Sequence, residues 1–330
     1  RTDAVIHDLS AAAGNHRHRD NSTTSTRPNM LRPLPLALLL SALGVPPATA
    51  EDGVFKLELQ KVVYQAKPRH RVLRYREENR WQASQTAVIV CDMWDLHHCL
   101  NATRRGTEMA PRMNNLLKLA RQHGATIIHA PSSCMNTYKD HPARKRAQAV
   151  PKSKSLPAEI GKWCYKIPSE EKGVYPLDQT DGGEDDDLAE HRAWAKKLEK
   201  MGRNPKAPWK SQTDMLEIAD EDYISDNGEE VWSIMEQKGL KNVILLGVHT
   251  NMCVLGRPFG LRQMAKNGKN VVLMRDMTDT MYNSRMKPFV SHFAGTDLVV
   301  QHVEKFWCPS ITSTALTGKA PFRFKNDPRK

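Results

Sequence analysis

The chain has 330 residues, of which 26% are charged and 39% hydrophobic, a composition typical of a globular protein. The net charge of +12 comes from scattered lysines and arginines, with clusters at residues 144–146 and 323–330, and no nucleic-acid-binding motif accompanies them. We therefore expect a solvated basic surface and no specific nucleic-acid partner. The six cysteines match neither a small disulfide scaffold nor a paired CxxC zinc site.

The first 50 residues are interpreted as a leader. Residues 1–29 are polar and show no apolar period, whereas Met30 opens a charged segment that continues into an apolar run at 34–43 and an Ala-Thr-Ala sequence at 48–50. This order is typical of a secretory signal peptide, although a short core helix is the alternative. We expect a start at Met30, cleavage near Ala50 and a secreted or periplasmic product. The apolar run is too short to span a bilayer, so no transmembrane anchor is predicted.

The next elements predict the start of a parallel sheet. Residues 51–85 form a predicted N-terminal extension, in which 54–59 alternates like an edge strand. Residues 86–92 are a continuous apolar run that ends in an acid, Asp92, and such a run is typical of a strand buried on both faces. A helix with Thr107 as its N-cap and a strand at 125–130 follow, and this β-α-β order implies a right-handed crossover.

Residues 131–226 are irregular, and we interpret them as an insertion that covers or lines a site, with one helix at 188–201. Regular alternation returns after the insertion. Its predicted elements are a helix at 228–238, a strand at 242–247, a helix at 253–267, a strand at 270–276, a helix at 297–307 and a strand at 310–313. The pattern predicts an α/β fold with a doubly wound, mainly parallel, three-layer sheet over residues 86–320, followed by a basic tail at 321–330.

Two strand ends carry residues suited to catalysis. Asp92 ends the first parallel strand, and the sequence from Gly247 to Cys253 leads from a later strand into a helix. Ligands bind outside the carboxyl ends of the strands in such sheets. A helix N-terminus favours the thiolate form of a cysteine, and a nearby carboxylate can act as a base. Buried packing is the other interpretation of Cys253.

The sequence Gly247-Val-His-Thr-Asn-Met-Cys-Val254 resembles the nucleophile signature of the isochorismatase-like cysteine hydrolases, where a Gly-Val-Ala-Thr stretch leads to a Cys-Val pair. Residues 87–93 are similar to that family's first strand, which carries its catalytic aspartate. The resemblance spans about 86–313 apart from the insertion. It implies that Cys253 attacks a carbonyl-type carbon and that Asp92 shuttles the proton. It also implies a cis peptide bond between Val248 and His249, an oxyanion site along the turn from Val248 to Met252, and a pocket lined by His249 and Asn251.

The sequence departs from the family at its third catalytic residue, a lysine. That position falls near Asp220 or Glu221, which are both acidic, and Lys210 further upstream is the candidate replacement. Without the lysine the thiolate loses a cationic partner, and the pKa of the thiol should be higher. Trp94 and Arg257 are candidate substrate contacts, Arg257 for an anionic substrate.

Three functional hypotheses follow. The first is a secreted cysteine hydrolase that cleaves a small amide or related substrate and needs no cofactor. The second is a ligand-binding relative without activity, because the lysine is missing. The third is a metal-dependent hydrolase, because Asp95, His97 and His98 offer ligand types for a divalent metal. The resembled family includes metal-dependent nicotinamidases, but Ser132-Ser-Cys134 stands where their Asp-x-His ligands occur. The resemblance also implies a homo-oligomer.

Overall fold

Eight strands join in one sheet in the described residues, which are 53–65, 71–171 and 173–329 of a computed structural model. The predicted leader, with its start at Met30 and its cleavage site near Ala50, lies outside these residues. The strands are β1 (Val54–Gln65), β2 (Arg71–Gln82), β3 (Thr86–Cys91), β4 (Thr126–Ala130), β5 (Tyr223–Ile224), β6 (Asn242–Val248), β7 (Asn270–Asp279) and β8 (Ser310–Ile311). The α-helices are α1 (Leu100–Gln122), α2 (Pro142–Ala149), α3 (Leu188–Lys200), α4 (Gly228–Gln237), α5 (Cys253–Gly256), α6 (Leu261–Lys266), α7 (His292–Phe306) and α8 (Thr314–Thr317).

The strand order is β2-β1-β8-β7-β6-β3-β4-β5, and neighbours from β8 to β5 pair in parallel. The predicted mainly parallel α/β fold is therefore confirmed. The hairpin of β1 and β2 adds two antiparallel strands to this sheet. Residues 54–59 belong to β1, which pairs with β2 along its length and with β8 at Gln60. The outermost strands of the sheet are β2 and β5.

The two faces of the sheet bury separate cores. Ala87 and Ile89 of β3 point into one hydrophobic cluster with α4, α5 and α6, whereas Val88 and Val90 point into the other with α1. Because side chains alternate along a strand, a strand covered on both faces must be apolar at every position. This accounts for the continuous apolar run in the sequence.

Helix α1 begins at Leu100, eight residues before the start that a cap at Thr107 predicts. The predicted cap, Thr107, lies inside the helix, and Cys99 is the N-cap residue. The Asp186 carboxylate accepts hydrogen bonds from the N–H groups of Leu100 and Asn101, at 2.8 and 2.7 Å. A carboxylate from the distant insertion therefore caps this helix, and the local sequence around Thr107 could not reveal it.

Two other helices differ from their predicted bounds. Helix α7 begins at His292, five residues early, because the Ser291 side chain accepts a hydrogen bond from the Ala294 N–H. The predicted helix at 253–267 is divided into α5 and α6 at Arg257-Pro258. Proline has no N–H to donate, and its ring conflicts with the preceding turn of a helix.

The insertion at 131–226 contains α2, α3 and the short strand β5, which pairs with β4. Helix α3 confirms the predicted helix at 188–201 within one residue at its end. All six cysteines are free thiols in the structure. Within the described part of the chain, every helix is too short or too polar to span a membrane.

Candidate active site

The carboxyl ends of β3 and β6 lie side by side, with Cys91 in register with Gly247. Gly247 has a φ of +106°, and a Cβ atom at this position would lie 2.0 Å from the Cys91 carbonyl oxygen. Only glycine therefore lets the two strands pair closely at this point. As a result, Asp92 and the turn that leads to Cys253 emerge together at one edge of the sheet, as the sequence predicts.

Backbone hydrogen bonds fix the turn between β6 and α5. The peptide bond between Val248 and His249 is cis, as the resemblance implies. The Thr250 N–H donates to the Asp279 carbonyl oxygen at 2.7 Å. The Asn251 side chain donates to the Met281 carbonyl oxygen at 2.7 Å and accepts from the Met281 N–H at 2.9 Å. Asn251 therefore holds the turn to the segment after β7, whereas the sequence suggested a pocket residue.

A buried ionic network around Asp279 holds this turn in place. Arg105 donates to the Asp279 carboxylate at 2.8 Å and also pairs with Asp185 at 2.7 Å. His292 lies 2.9 Å from the other Asp279 oxygen. Burial alone would raise the pKa of Asp279, but Arg105 and His292 hold it well below its usual range. Asp279 is therefore a permanent anion, and its backbone carbonyl positions Thr250. The sequence contained no signal for this network, because its members are distant in the chain.

Asp92, Cys253 and Arg257 form a trio at the strand ends, in which Asp92 and Cys253 are buried and Arg257 is partly exposed. Asp92 is fully buried, and its Oδ1 accepts a hydrogen bond from the Ser132 N–H at 2.7 Å. The Nε of Arg257 donates to Oδ2 of Asp92 at 3.2 Å. Cys253 is 8% exposed, and its thiol lies near enough to the Asp92 carboxylate and the Arg257 guanidinium for both charges to act on the pKa of the thiol.

The electrostatics of the trio favour one shared negative charge. Burial raises the pKa of Asp92, and the nearby Arg257 opposes that rise. Burial, followed by the Asp92 charge, raises the pKa of the Cys253 thiol well above its usual range. The expectation that the helix N-terminus favours a resting thiolate is therefore wrong. Helix α5 has only four residues, and the loss of hydration outweighs its effect.

Arg257 places a positive charge beside Asp92. Its guanidinium also lies 5.6 Å from the centre of the Trp163 ring, which the insertion carries. A Cβ atom on Gly256 would lie 2.3 Å from that ring, so glycine leaves room for the tryptophan. The insertion thus covers the site, as the sequence predicts. The sequence placed Arg257 in the pocket as a substrate contact but did not identify its pairing with Asp92.

Lys210, the candidate third catalytic residue, is not brought to this trio. It is exposed, and its ammonium group donates to the Gly202 carbonyl oxygen at 3.4 Å. Its backbone N–H donates to Asp95 at 3.1 Å. The feature of the sequence that points to Arg257 is the Arg-Pro break in the predicted helix, which places the arginine one turn after Cys253.

Within the described residues, the N–H group of Cys253 is available to an oxyanion. The N–H groups of Met252 and Val254 both donate to the His249 carbonyl oxygen, at 3.0 and 3.2 Å. Among the described residues, no acceptor is recorded for the N–H of Cys253. This N–H belongs to the first residue of α5, so it can donate to an oxygen that develops negative charge next to the sulfur.

Aromatic rings and imidazoles form a wall beside Asp92. Trp94 stacks on Trp209 with ring centres 4.4 Å apart, and His97 lies 4.8 Å from His249. A small cavity is lined by Asp92, Trp94, His97, Val248 and His249 among others. Burial lowers the pKa of His249 to about 4 and places that of His97 well below its usual range. At neutral pH this wall is therefore uncharged.

The structure does not gather Asp95, His97 and His98 into a metal-ligand set. Asp95 forms an ion pair with Arg203 at 2.8 Å, and His98 contacts Glu184 at 2.9 Å. Among the described residues, the group whose ligand atoms lie within 4.8 Å of one another consists of Cys99, Asp185 and Asp186. Those two carboxylates already hold Arg105 and the N-terminus of α1.

Searches for family models and among curated proteins found no match to the chain. Similar solved structures include a cysteine hydrolase from Pseudomonas syringae pv. phaseolicola 1448A, with 14% identity, a TM-score of 0.41, and coverage of 71% of this chain and 91% of that one. An isochorismatase from Pseudomonas putida KT2440 has 12% identity and a TM-score of 0.41, with 72% and 92% covered. An octameric hydrolase of unknown specificity from Escherichia coli has 13% identity and a TM-score of 0.32, with 72% and 82% covered. The solved structures to which this chain is similar are thus isochorismatase-family and cysteine hydrolase proteins.

Proposed function

We propose that the chain is a cysteine hydrolase of the isochorismatase-like type, which cleaves a small amide or related substrate through a covalent intermediate on Cys253. The observation that carries the proposal is the trio of Asp92, Cys253 and Arg257 at the carboxyl edge of the sheet. A nucleophile, a base and a cation meet at the place where ligands bind in such folds.

The resting trio carries one positive and one negative charge. Because Arg257 supplies a single positive charge, it balances a single negative charge, held either by Asp92 or by the sulfur. Ionising both acids would leave an excess negative charge in a buried site, which is unfavourable. The thiolate therefore forms by transfer of the thiol proton to Asp92, at the moment of attack, and the total charge of the trio stays at zero.

The reaction then proceeds in two stages. The sulfur attacks the carbonyl carbon, a C–S bond forms, and the carbonyl π electrons move to the oxygen, which accepts a hydrogen bond from the Cys253 N–H. The oxyanion collapses, the C–N bond breaks, and the leaving amine takes the proton from Asp92. In the second stage Asp92 removes a proton from water as the water attacks the thioester. Collapse releases the carboxylic acid, and the proton returns to the sulfur.

The neutral wall favours a substrate whose body is small and uncharged. His97 and His249 are buried and unprotonated at neutral pH, and Trp94 adds an apolar surface. Arg257 is already paired with Asp92, so it does not remain available to bind an anionic substrate. We therefore propose that a compact, uncharged amide is preferred over a carboxylate-bearing one.

Export and assembly complete the proposal. The leader pattern supports a secreted or periplasmic protein whose mature chain begins at Glu51. The test is N-terminal sequencing of the protein from the medium or periplasm of an expressing cell. We also propose a homo-oligomer. Sedimentation of the mature protein as a single monomeric species would contradict it.

The activity test is a screen of small primary amides on the mature chain, with release of ammonia as the readout. Cys253→Ala should abolish ammonia release, whereas Cys308→Ala, a buried cysteine far from the trio in sequence, should retain it. A chelator should leave the rate unchanged. Activity that persists in Cys253→Ala but is lost with the chelator would replace the proposal with a metal-dependent mechanism. Absence of turnover with every amide would favour a ligand-binding protein.

A further inference from the structure

We propose that the chain has a second binding site, separate from Cys253, for a small anion that carries an aromatic group. The site is a cavity of about 480 Å³ between the β1–β2 hairpin, β7, α7 and the C-terminal tail. We call it the arginine cavity. Five arginines line it: Arg74, Arg76, Arg275, Arg323 and Arg329. Neither Cys253 nor Asp92 is among its lining residues.

Three of these arginines lack an ionic partner. Among the described residues, Arg74, Arg275 and Arg323 have no carboxylate oxygen within 4 Å of a side-chain nitrogen. The other two arginines, Arg76 and Arg329, each form an ion pair with a carboxylate. Arg76 contacts Glu58 at 3.3 Å, and Arg329 contacts Asp327 at 2.8 Å. The cavity therefore faces three guanidinium groups that could each pair with a ligand oxygen.

The acidic lining residues do not neutralise these groups. Asp297 and Asp327 both pair with Arg329. Asp276 accepts hydrogen bonds from the Ser313 N–H at 2.7 Å and the Phe322 N–H at 2.9 Å, and it thereby anchors the tail. The lining of the cavity holds five arginines and three aspartates, so its own residues carry more positive than negative charge.

Arg275 is the deepest of the three. It is partly buried in β7, and its guanidinium donates to the Ser310 hydroxyl at 2.9 Å. That hydroxyl donates in turn to Glu304, and the second oxygen of Glu304 is buried with no hydrogen-bond partner in the structure. A partly buried guanidinium without a direct counterion is unfavourable, and an anion in the cavity would supply one.

The cavity is also lined by aromatic rings. Phe293 and Phe324 have ring centres 5.6 Å apart, and Phe322 and Phe324 have ring centres 5.1 Å apart. All three rings line the cavity. Apolar walls combined with a few convergent polar groups are typical of small-molecule sites. A ligand with a phosphate or carboxylate at one end and an aromatic ring at the other would contact both the arginines and the phenylalanine rings.

Isothermal titration calorimetry of the mature chain tests the proposal with phenyl phosphate as the probe. Inorganic phosphate and benzyl alcohol separate the contributions of the two ends of the probe. We expect phenyl phosphate to bind more tightly than either fragment. Arg275→Gln and Arg74→Gln should each weaken binding about tenfold, because each removes a charged hydrogen bond. Arg74 is exposed, so its substitution leaves folding intact.

Two controls separate this site from others. Arg80→Gln changes an arginine of the same strand that does not line the cavity, and it should bind phenyl phosphate as the unchanged chain does. Cys253→Ala should also bind it normally, so the proposal does not depend on the hydrolase function. Undetectable binding at millimolar phenyl phosphate, or equal affinity in the Arg74 and Arg80 variants, would overturn the proposal. Affinity for long polyanions alone would also overturn it.

Discussion

The Nε atom of Arg257 lies 3.2 Å from Oδ2 of Asp92, although 165 positions separate the two residues in the chain. This contact places a permanent cation against a carboxylate that is fully buried. The charge of the same guanidinium also acts on the Cys253 thiol and opposes the rise in its pKa. The acid, the nucleophile and the counterion therefore form a single ionic unit, and changing any member should alter the other two.

Replacing Arg257 should affect both stability and activity. Arg257→Ala leaves Asp92 buried without its cation, which should lower the free energy of unfolding by about 3 kcal/mol. It should also lower kcat/KM at least about a hundredfold. Arg257→Lys keeps the charge but loses the planar group, so it should retain an intermediate activity.

Urea denaturation and steady-state kinetics measure these effects, and Arg192→Ala, which changes an exposed arginine of α3, is the matched control. Equal stability and kcat/KM in the Arg257 and Arg192 variants would show that the ion pair is unimportant.

Asp92→Asn should abolish proton transfer while keeping the size of the side chain. We expect kcat to fall by about 10² to 10⁴, because a general base contributes a factor of this size. The comparison variant is Asp140→Asn, which changes an exposed carboxylate. A kcat within a few-fold of the unchanged chain would exclude Asp92 as the base.

The pH dependence of Cys253 alkylation should differ from that of an activated cysteine. Because burial and the Asp92 charge raise the thiol pKa, the thiolate is scarce at neutral pH, and the iodoacetamide rate should keep rising above pH 9 without an earlier plateau. Asp92→Asn removes a charge that raises this pKa, so it should speed alkylation at neutral pH while it abolishes turnover. A plateau below pH 8 in the unchanged chain would contradict the assigned direction.

Gly247→Ala should destabilise the fold at the site. The new Cβ atom would lie 2.0 Å from the Cys91 carbonyl oxygen, and alanine would be strained at a φ of +106°. We expect a loss of at least about 1–3 kcal/mol in thermal or urea unfolding. Gly106→Ala is the control, because no atom lies within 4 Å of its Cβ and helix α1 favours alanine. A loss no greater than that of the control would show that β3 and β6 can separate without consequence.

Much of the sheet could be predicted from the sequence, because its strands are buried on both faces and read as apolar runs, as in Thr86–Cys91 and Asn242–Val248. Asp92 and Cys253 followed from their places at strand ends. The cap of helix α1 and the ionic network around Asp279 could not be predicted, since they depend on contacts between residues that are far apart in the chain. Asp186 caps α1 from the insertion, and Arg105 reaches Asp279 across the sheet edge. The sequence predicts Arg257 as a substrate contact but not its pairing with Asp92, because only the break after α5 turns the arginine toward that carboxylate.

The most direct test of the central claim is to trap the covalent intermediate. The mature chain is mixed with p-nitrophenyl acetate at neutral pH, quenched with acid after short times, and examined by intact mass and by peptide mapping. We expect one added acetyl group, located on Cys253, that forms with a burst of nitrophenol and then decays as product appears. An acetyl group on another residue only, or an equal burst from Cys253→Ala, would contradict Cys253 as the nucleophile.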